Sequence, residues 1–218
     1  MKIKHFLQLI ILFLWIVLGV NNASAALQAD TAKQWALQKG KQIIDILTDE
    51  NSDEKYAALD KILVEDIDLN YAAKFVVGKY WRAMDESQHR EYENLFKRYI
   101  SALYKEYPLS LPKGSISFTV DKALPNSQTV SVWCTIFVDA ILSEENDNNK
   151  KGFKVLFELI QNNSQIMVRD LKIEQSSLLL AFRERFQQMI HQDNDDEIAW
   201  FLEDLQAIVE SMEEKHLQ

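Results

Sequence analysis

The ten residues Val130–Asp139 read VSVWCTIFVD. In an extended chain, Val130, Val132, Cys134, Ile136 and Val138 fall on one side. Ser131, Trp133, Thr135, Phe137 and Asp139 fall on the other. A period of two over this length marks a β-strand with one face turned to a core. The segments on either side repeat it. Upstream, Ile116, Phe118 and Val120 alternate with Ser117, Thr119 and Asp121, and Leu124-Pro125-Asn126-Ser127 makes the turn between the two strands. Downstream, after a polar loop at Ser143–Lys151, Phe153, Val155, Phe157 and Leu159 alternate with Lys154 and Glu158. Asn162-Asn163-Ser164 reads as a hairpin turn, and Ile166–Ile173 returns from it. In that last strand Ile166 and Val168 lie on one face and Leu171 and Ile173 on the other, which a bulge or twist near Asp170 would reconcile. Four consecutive strands joined by short turns form an antiparallel meander.

Outward from the strands the period becomes helical. Before them, Asp30, Ser52, Asp68 and Asp85 each stand where a helix can be capped. The first helix carries Trp35, Ile43 and Leu47 on or near one face, and the second carries Tyr56, Leu59, Ile62 and Leu63. The third ends near Gly78. The fourth has Gln88 three residues after Asp85, a capping-box pair, and a stripe of Tyr92, Leu95, Phe96, Tyr99 and Leu103. After the strands, Ser176 or Ser177 opens a helix with Leu178, Phe182, Phe186 and Met189 inward. A last helix from about Asp195 has Ile198, Phe201, Leu205 and Val209 in one stripe. These stripes need a partner, and the sheet is the natural one. The expected class is α+β: a curved four-stranded antiparallel sheet packed against a helical layer, in one domain.

The N-terminus has a separate logic. Lys2, Lys4 and His5 precede an apolar run of 15 residues, Phe6–Val20, broken by Gln8, and small residues two apart follow in Ala23-Ser24-Ala25. This is the pattern of a secretory signal peptide, residues 1–25, cleaved after Ala25. A membrane-spanning helix needs about 20 apolar residues, more than this run supplies. Residues 26–218 then form the mature domain. Removing residues 1–25 takes away two lysines and no acid, so 22 basic side chains face 33 acidic ones, a net charge of −11. Such a chain lacks the basic footprint of a nucleic-acid binder and of a protein drawn to anionic lipid surfaces. Cys134 is the single cysteine, so no internal disulfide can brace the core.

Signs of catalysis are sparse. His89, His191 and His216 have no metal-ligand spacing, and the chain has no nucleophile elbow, phosphate loop or C-x-x-C pair. The acidic run Asp193, Asp195, Asp196, Glu197 opens a helix, where negative charge complements the dipole. Asp170 interrupts an apolar strand and has two readings, a carboxylate capping backbone amides or a catalytic acid in a pocket. The many inward aromatics serve a filled core and a pocket wall equally, because the same spacing builds both.

Two stretches carry a family resemblance. Val77-Gly78-Lys79-Tyr80-Trp81-Arg82, then Ser87-Gln88, Tyr92 and Phe96 form the first. Val168-Arg169-Asp170-Leu171 through Ser176-Ser177-Leu178-Leu179, then Phe182-Arg183-Glu184-Arg185-Phe186 form the second. In these the sequence resembles the MlaC family of periplasmic phospholipid-binding proteins, also described as toluene-tolerance proteins, which serve an ABC transport system. It departs from the family pattern at Ile166, where the family has tryptophan, and at Gln175, where it has glycine. The second change removes backbone freedom at a strand-to-helix junction.

The resemblance implies a carrier. It would shuttle glycerophospholipid between an outer-membrane lipoprotein complex and an inner-membrane ABC transporter complex with its lipid-binding subunit, and so maintain outer-membrane asymmetry. The acyl tails would sit in an apolar pocket, with no catalytic residue and no cofactor. Inward faces supply the candidate lining: Val77, Tyr80, Trp81, Phe96 and Leu103 from the helices before the sheet; Phe118, Val132, Ile136, Phe157 and Val168 from the strands; and Leu178, Phe182 and Phe186 from the helix after it. The alternatives are an interaction or chaperone module with a filled core, and a pocket enzyme using Asp170.

Overall fold

A computed structural model describes residues 27–49, 52–106, 111–138 and 152–215. The expected signal peptide, the polar loop at Ser143–Lys151 and His216 lie outside these residues. The alternation at Val130 produces the strand it predicts, β2 (Val130–Val138), between β1 (Ile116–Pro125) and β3 (Phe153–Asn162), with β4 (Gln165–Ile173) beyond. Neighbours pair antiparallel in chain order, and the sheet is open. A short fifth strand, β5 (Ser176–Ser177), extends the expected four. It was not legible because two residues carry no periodicity. It exists because Glu174 and Gln175 both take positive φ, 46° and 75°, and fold the chain back on β4. The β3–β4 hairpin uses the same device at Asn163 and Ser164.

Two bulges keep one face apolar. On β1 the pairing steps from Val120–Cys134 to Lys122–Trp133 and leaves Asp121 as the extra residue. On β4 it steps from Leu159–Val168 to Glu158–Asp170 and leaves Arg169 extra, beside the Asp170 at which the sequence requires a correction of parity. Val168 and Leu171 therefore share a face.

Six α-helices accompany the sheet among the described residues. α1 (Ala29–Leu47) lies across the apolar face of the sheet. α2 (Ser52–Asp66) follows and leads into a bridge between Ile67 and Val168. α3 (Leu69–Val77), α4 (Glu86–Lys105), α5 (Leu178–Gln188) and α6 (Ile198–Lys215) build a core of their own. Its centre is a set of fully buried rings, Tyr92, Phe96, Phe186 and Phe201, most of them meeting edge-on; Phe96 and Phe186 lie 5.7 Å apart at 70°. The α4 stripe therefore packs on α5 and α6 and not on the sheet, because four helices with aromatic stripes satisfy one another.

Caps fall mostly where the sequence places them. The Asp68 carboxylate accepts from the Tyr71 N–H at 3.2 Å, and Asp85 and Gln88 form the full capping box. Ser177 Oγ accepts from the Leu180 N–H at 3.0 Å. At α1 the cap is a correction: Gln28 precedes the helix without a side-chain bond, and Asp30 lies in the first turn. α6 likewise starts at Ile198, after a π-helical turn at Met189–Asp193, and not at Asp195. α3 stops at Gly78, whose φ of +58° favours glycine. A β-carbon there would also come within 2.9 Å of the Arg183 guanidinium.

Candidate functional site

The residues of α1 that face the sheet are Trp35, Ala36, Lys39, Gly40, Ile43, Ile44 and Leu47, one stripe at helical spacing. The helix closes on the strands at Ala32 and Ala36 and at the contact between Gly40 and Phe118, and elsewhere along this stripe it does not. Between this stripe, the end of α2 and the sheet lies a cavity of about 280 Å³. The sheet lines it with Ile116 and Phe118 of β1, Cys134 and Ile136 of β2, Phe157 of β3, and Val168 and Leu171 of β4. Ile62, Asp66 and Ile67 complete the wall.

One close approach sets its width. The Phe118 ring lies against the bare Cα of Gly40, and a β-carbon at Gly40 would fall 2.2 Å from Phe118 Cζ. Only glycine lets the ring and the helix come this near. Cys134 contributes a small neutral surface: burial, with the Asp121 carboxylate adding to it, pushes its thiol up to about 12. Lys39 and Asp66 line the wall with the carbon atoms of their side chains, and their charged ends, with Nζ and Oδ2 2.6 Å apart, meet at its edge and add almost no polar surface to it. Everything else on it is hydrocarbon, aromatic or thiol. Such a surface can exclude water and bury apolar matter. No group of three or more His, Cys, Asp or Glu side chains among the described residues could hold a metal ion.

Of the residues predicted to line a pocket, Phe118, Ile136, Phe157 and Val168 meet at this cavity. Val132 is buried with the sheet and α1, next to the cavity but outside its wall. Val77, Tyr80, Phe96 and Phe186 are buried in the helical core, and Trp81 and Phe182 pack against it. Leu103 is half-buried on α4, and Leu178 stays 36% exposed at the start of α5. Most of the aromatics thus fill space and do not surround it. The sequence reading missed the α1 wall. Its stripe was visible in Trp35, Ile43 and Leu47, but a helical period does not say whether the facing element touches it. Asp170 accepts the Leu179 N–H at 3.2 Å and is absent from the cavity wall, the position of a backbone cap.

An open antiparallel sheet with a helix held off its face by an apolar cavity defines a ligand-binding fold of the α+β class. The model of the MlaC protein family matches residues 38–206, and the chain belongs to the MlaC family. A solved structure with the same fold is a phospholipid-binding protein from Ralstonia solanacearum, described in complex with a phospholipid. It is 13% identical, with a TM-score of 0.63 over 83% of this chain and 98% of that one. No curated protein matches the chain.

Proposed function

We propose that this protein is a periplasmic phospholipid carrier: it takes glycerophospholipid from one membrane complex, shields the acyl tails and delivers them to another. The observation that carries the reading is the apolar cavity between α1 and the sheet. Membership of the MlaC family and the fold shared with a phospholipid-bound protein support it. The physical need is large. At about 0.8 kcal/mol per buried CH₂, two chains of roughly 16 carbons require on the order of 20 kcal/mol of shielding to cross water. A cavity of about 280 Å³ falls just below the range for ligand pockets, ~300–1,000 Å³. Two full tails therefore require α1 and α2 to move outward from the sheet. In this reading residues 1–25 direct export and are removed. The partners are an inner-membrane ABC transporter complex and an outer-membrane lipoprotein complex, and outer-membrane asymmetry is the outcome. Delivery depends on a partner that takes over the burial of the tails. The excess of acidic side chains disfavours docking on bare anionic membranes.

The test is to purify residues 26–218 and analyse an organic extract by mass spectrometry. Stoichiometric phospholipid is the expected result. Its absence, together with no uptake from vesicles containing labelled phosphatidylethanolamine and phosphatidylglycerol, overturns the reading.

A further inference from the structure

A charged pair stands at the edge of the hydrocarbon wall. Lys39 and Asp66 come from different helices, α1 and α2, and are the two charged side chains that line the cavity. The Asp66 side chain is only 8% exposed, and that of Lys39 is 22% exposed. Lys39 thus stands where the lining meets solvent, and Asp66 lies behind it. Desolvating such a pair costs about as much as its attraction returns, so stability alone is a weak reason to keep it. The contact is also incomplete. Lys39 Nζ is 2.6 Å from Asp66 Oδ2, yet that buried oxygen makes no hydrogen bond of acceptable direction. The ammonium has three N–H donors. Its other neighbour is the Trp35 ring, 5.9 Å away, which accepts no directed bond. Lys39 is therefore held near Asp66 by charge and keeps donors for another acceptor.

We propose that Lys39 is the cavity's anion-binding group, which takes the phosphodiester of a bound amphiphile while Asp66 competes for the same ammonium. The proposal rests on the carrier reading and adds to it a polar anchor beside the tail cavity. Its chemistry is that of a singly charged anion attached to an apolar tail. A lysine presents a point charge and not a planar fork, so it suits one phosphate oxygen without selecting the alcohol beyond it. Asp66 disfavours additional negative charge, and removing its charge should release Lys39 to the ligand.

Binding of water-soluble dioctanoyl phosphatidylglycerol and of dioctanoylglycerol, which has the same tails and no phosphate, tests this in the mature chain. Lys39→Gln should weaken the phospholipid by about tenfold and leave the diacylglycerol unchanged. Lys39→Arg should restore most of the loss, and Asp66→Asn should tighten the phospholipid. The opposite sign for the two helices' variants separates an anchor from a merely structural pair, which would weaken both ligands in both variants. Equal loss of both lipids in Lys39→Gln at an unchanged melting temperature overturns the proposal and leaves the carrier reading standing. Displacement of the phospholipid by an equal concentration of inorganic phosphate overturns the proposal and the carrier reading together, because the tails would then add nothing to binding. Failure of the unsubstituted protein to bind either lipid overturns both.

Discussion

Gly40 lacks a side chain where α1 meets the end of the Phe118 ring. Gly40→Ala must displace Phe118 or lift the helix, and overpacking of this kind costs about 1–3 kcal/mol. Thermal melts should show the loss, and Phe118→Leu in the same chain should recover part of it. Cys134 gives a pH test. Its thiol is raised in the folded state from 9.0 to about 12. The folded state thus favours the neutral form. That contribution is fully present below about pH 9 and is lost as pH rises toward 12. Denaturation followed across that window should show stability falling. Iodoacetamide at pH 8 should label Cys134 only after unfolding, and rapid labelling of the folded chain would contradict its burial. Gln175 is the third case. It stands where the family pattern has glycine and takes a φ of 75°. Left-handed backbone costs a non-glycine residue about 1–2 kcal/mol, somewhat more than the entropy lost by a glycine. Gln175→Gly should raise the melting temperature, which calorimetry would show. The sequence pointed to this position, because Gln175 replaces the glycine of the family pattern and removes backbone freedom at a strand-to-helix junction.

At the scale of elements, what was legible is what is local. A cap needs only a side chain and an amide three residues away, so Asp68, Asp85 and Ser177 could be read directly. The bulge beside Asp170 was legible because an apolar face cannot change sides within a strand without one. The wall of the cavity was not. Inward positions on α4 and α1 look alike in period, yet the first packs against other helices along its length and the second packs on the sheet only in part and elsewhere borders the cavity. Reading by size misled further: large rings fill volume, and most of the cavity wall is isoleucine, glycine, alanine and other small or branched residues. The start of α5 offers an element-scale test. Its N–H groups at Leu179 and Leu180 are taken by Asp170 and Ser177. Ser177→Ala should lower the melting temperature by about 2–4 °C. Asp170→Asn keeps an accepting oxygen and should cost less than Asp170→Ala. If Asp170→Asn were as damaging as Asp170→Ala, the charge and not the accepting oxygen would be what matters there.

The whole molecule has two interiors with different duties. Around Phe186 the helical core is closed and continuous, and Phe186→Ala should cost about 3–5 kcal/mol. Leu171 borders the cavity, so Leu171→Ala widens a space already present. It should cost less in chemical denaturation and instead change the acyl chains recovered with the protein, as mass spectrometry of the extract would show. The unequal filling has a mechanical consequence. Compression acts on voids, and packed rings leave little to compress. Under hydrostatic pressure the α1 side of the molecule should yield first, with amides of α1 and β1 exchanging hydrogen while those of α4 and α6 stay protected. Filling the cavity with a ligand should stiffen the yielding half and leave the rest unaltered.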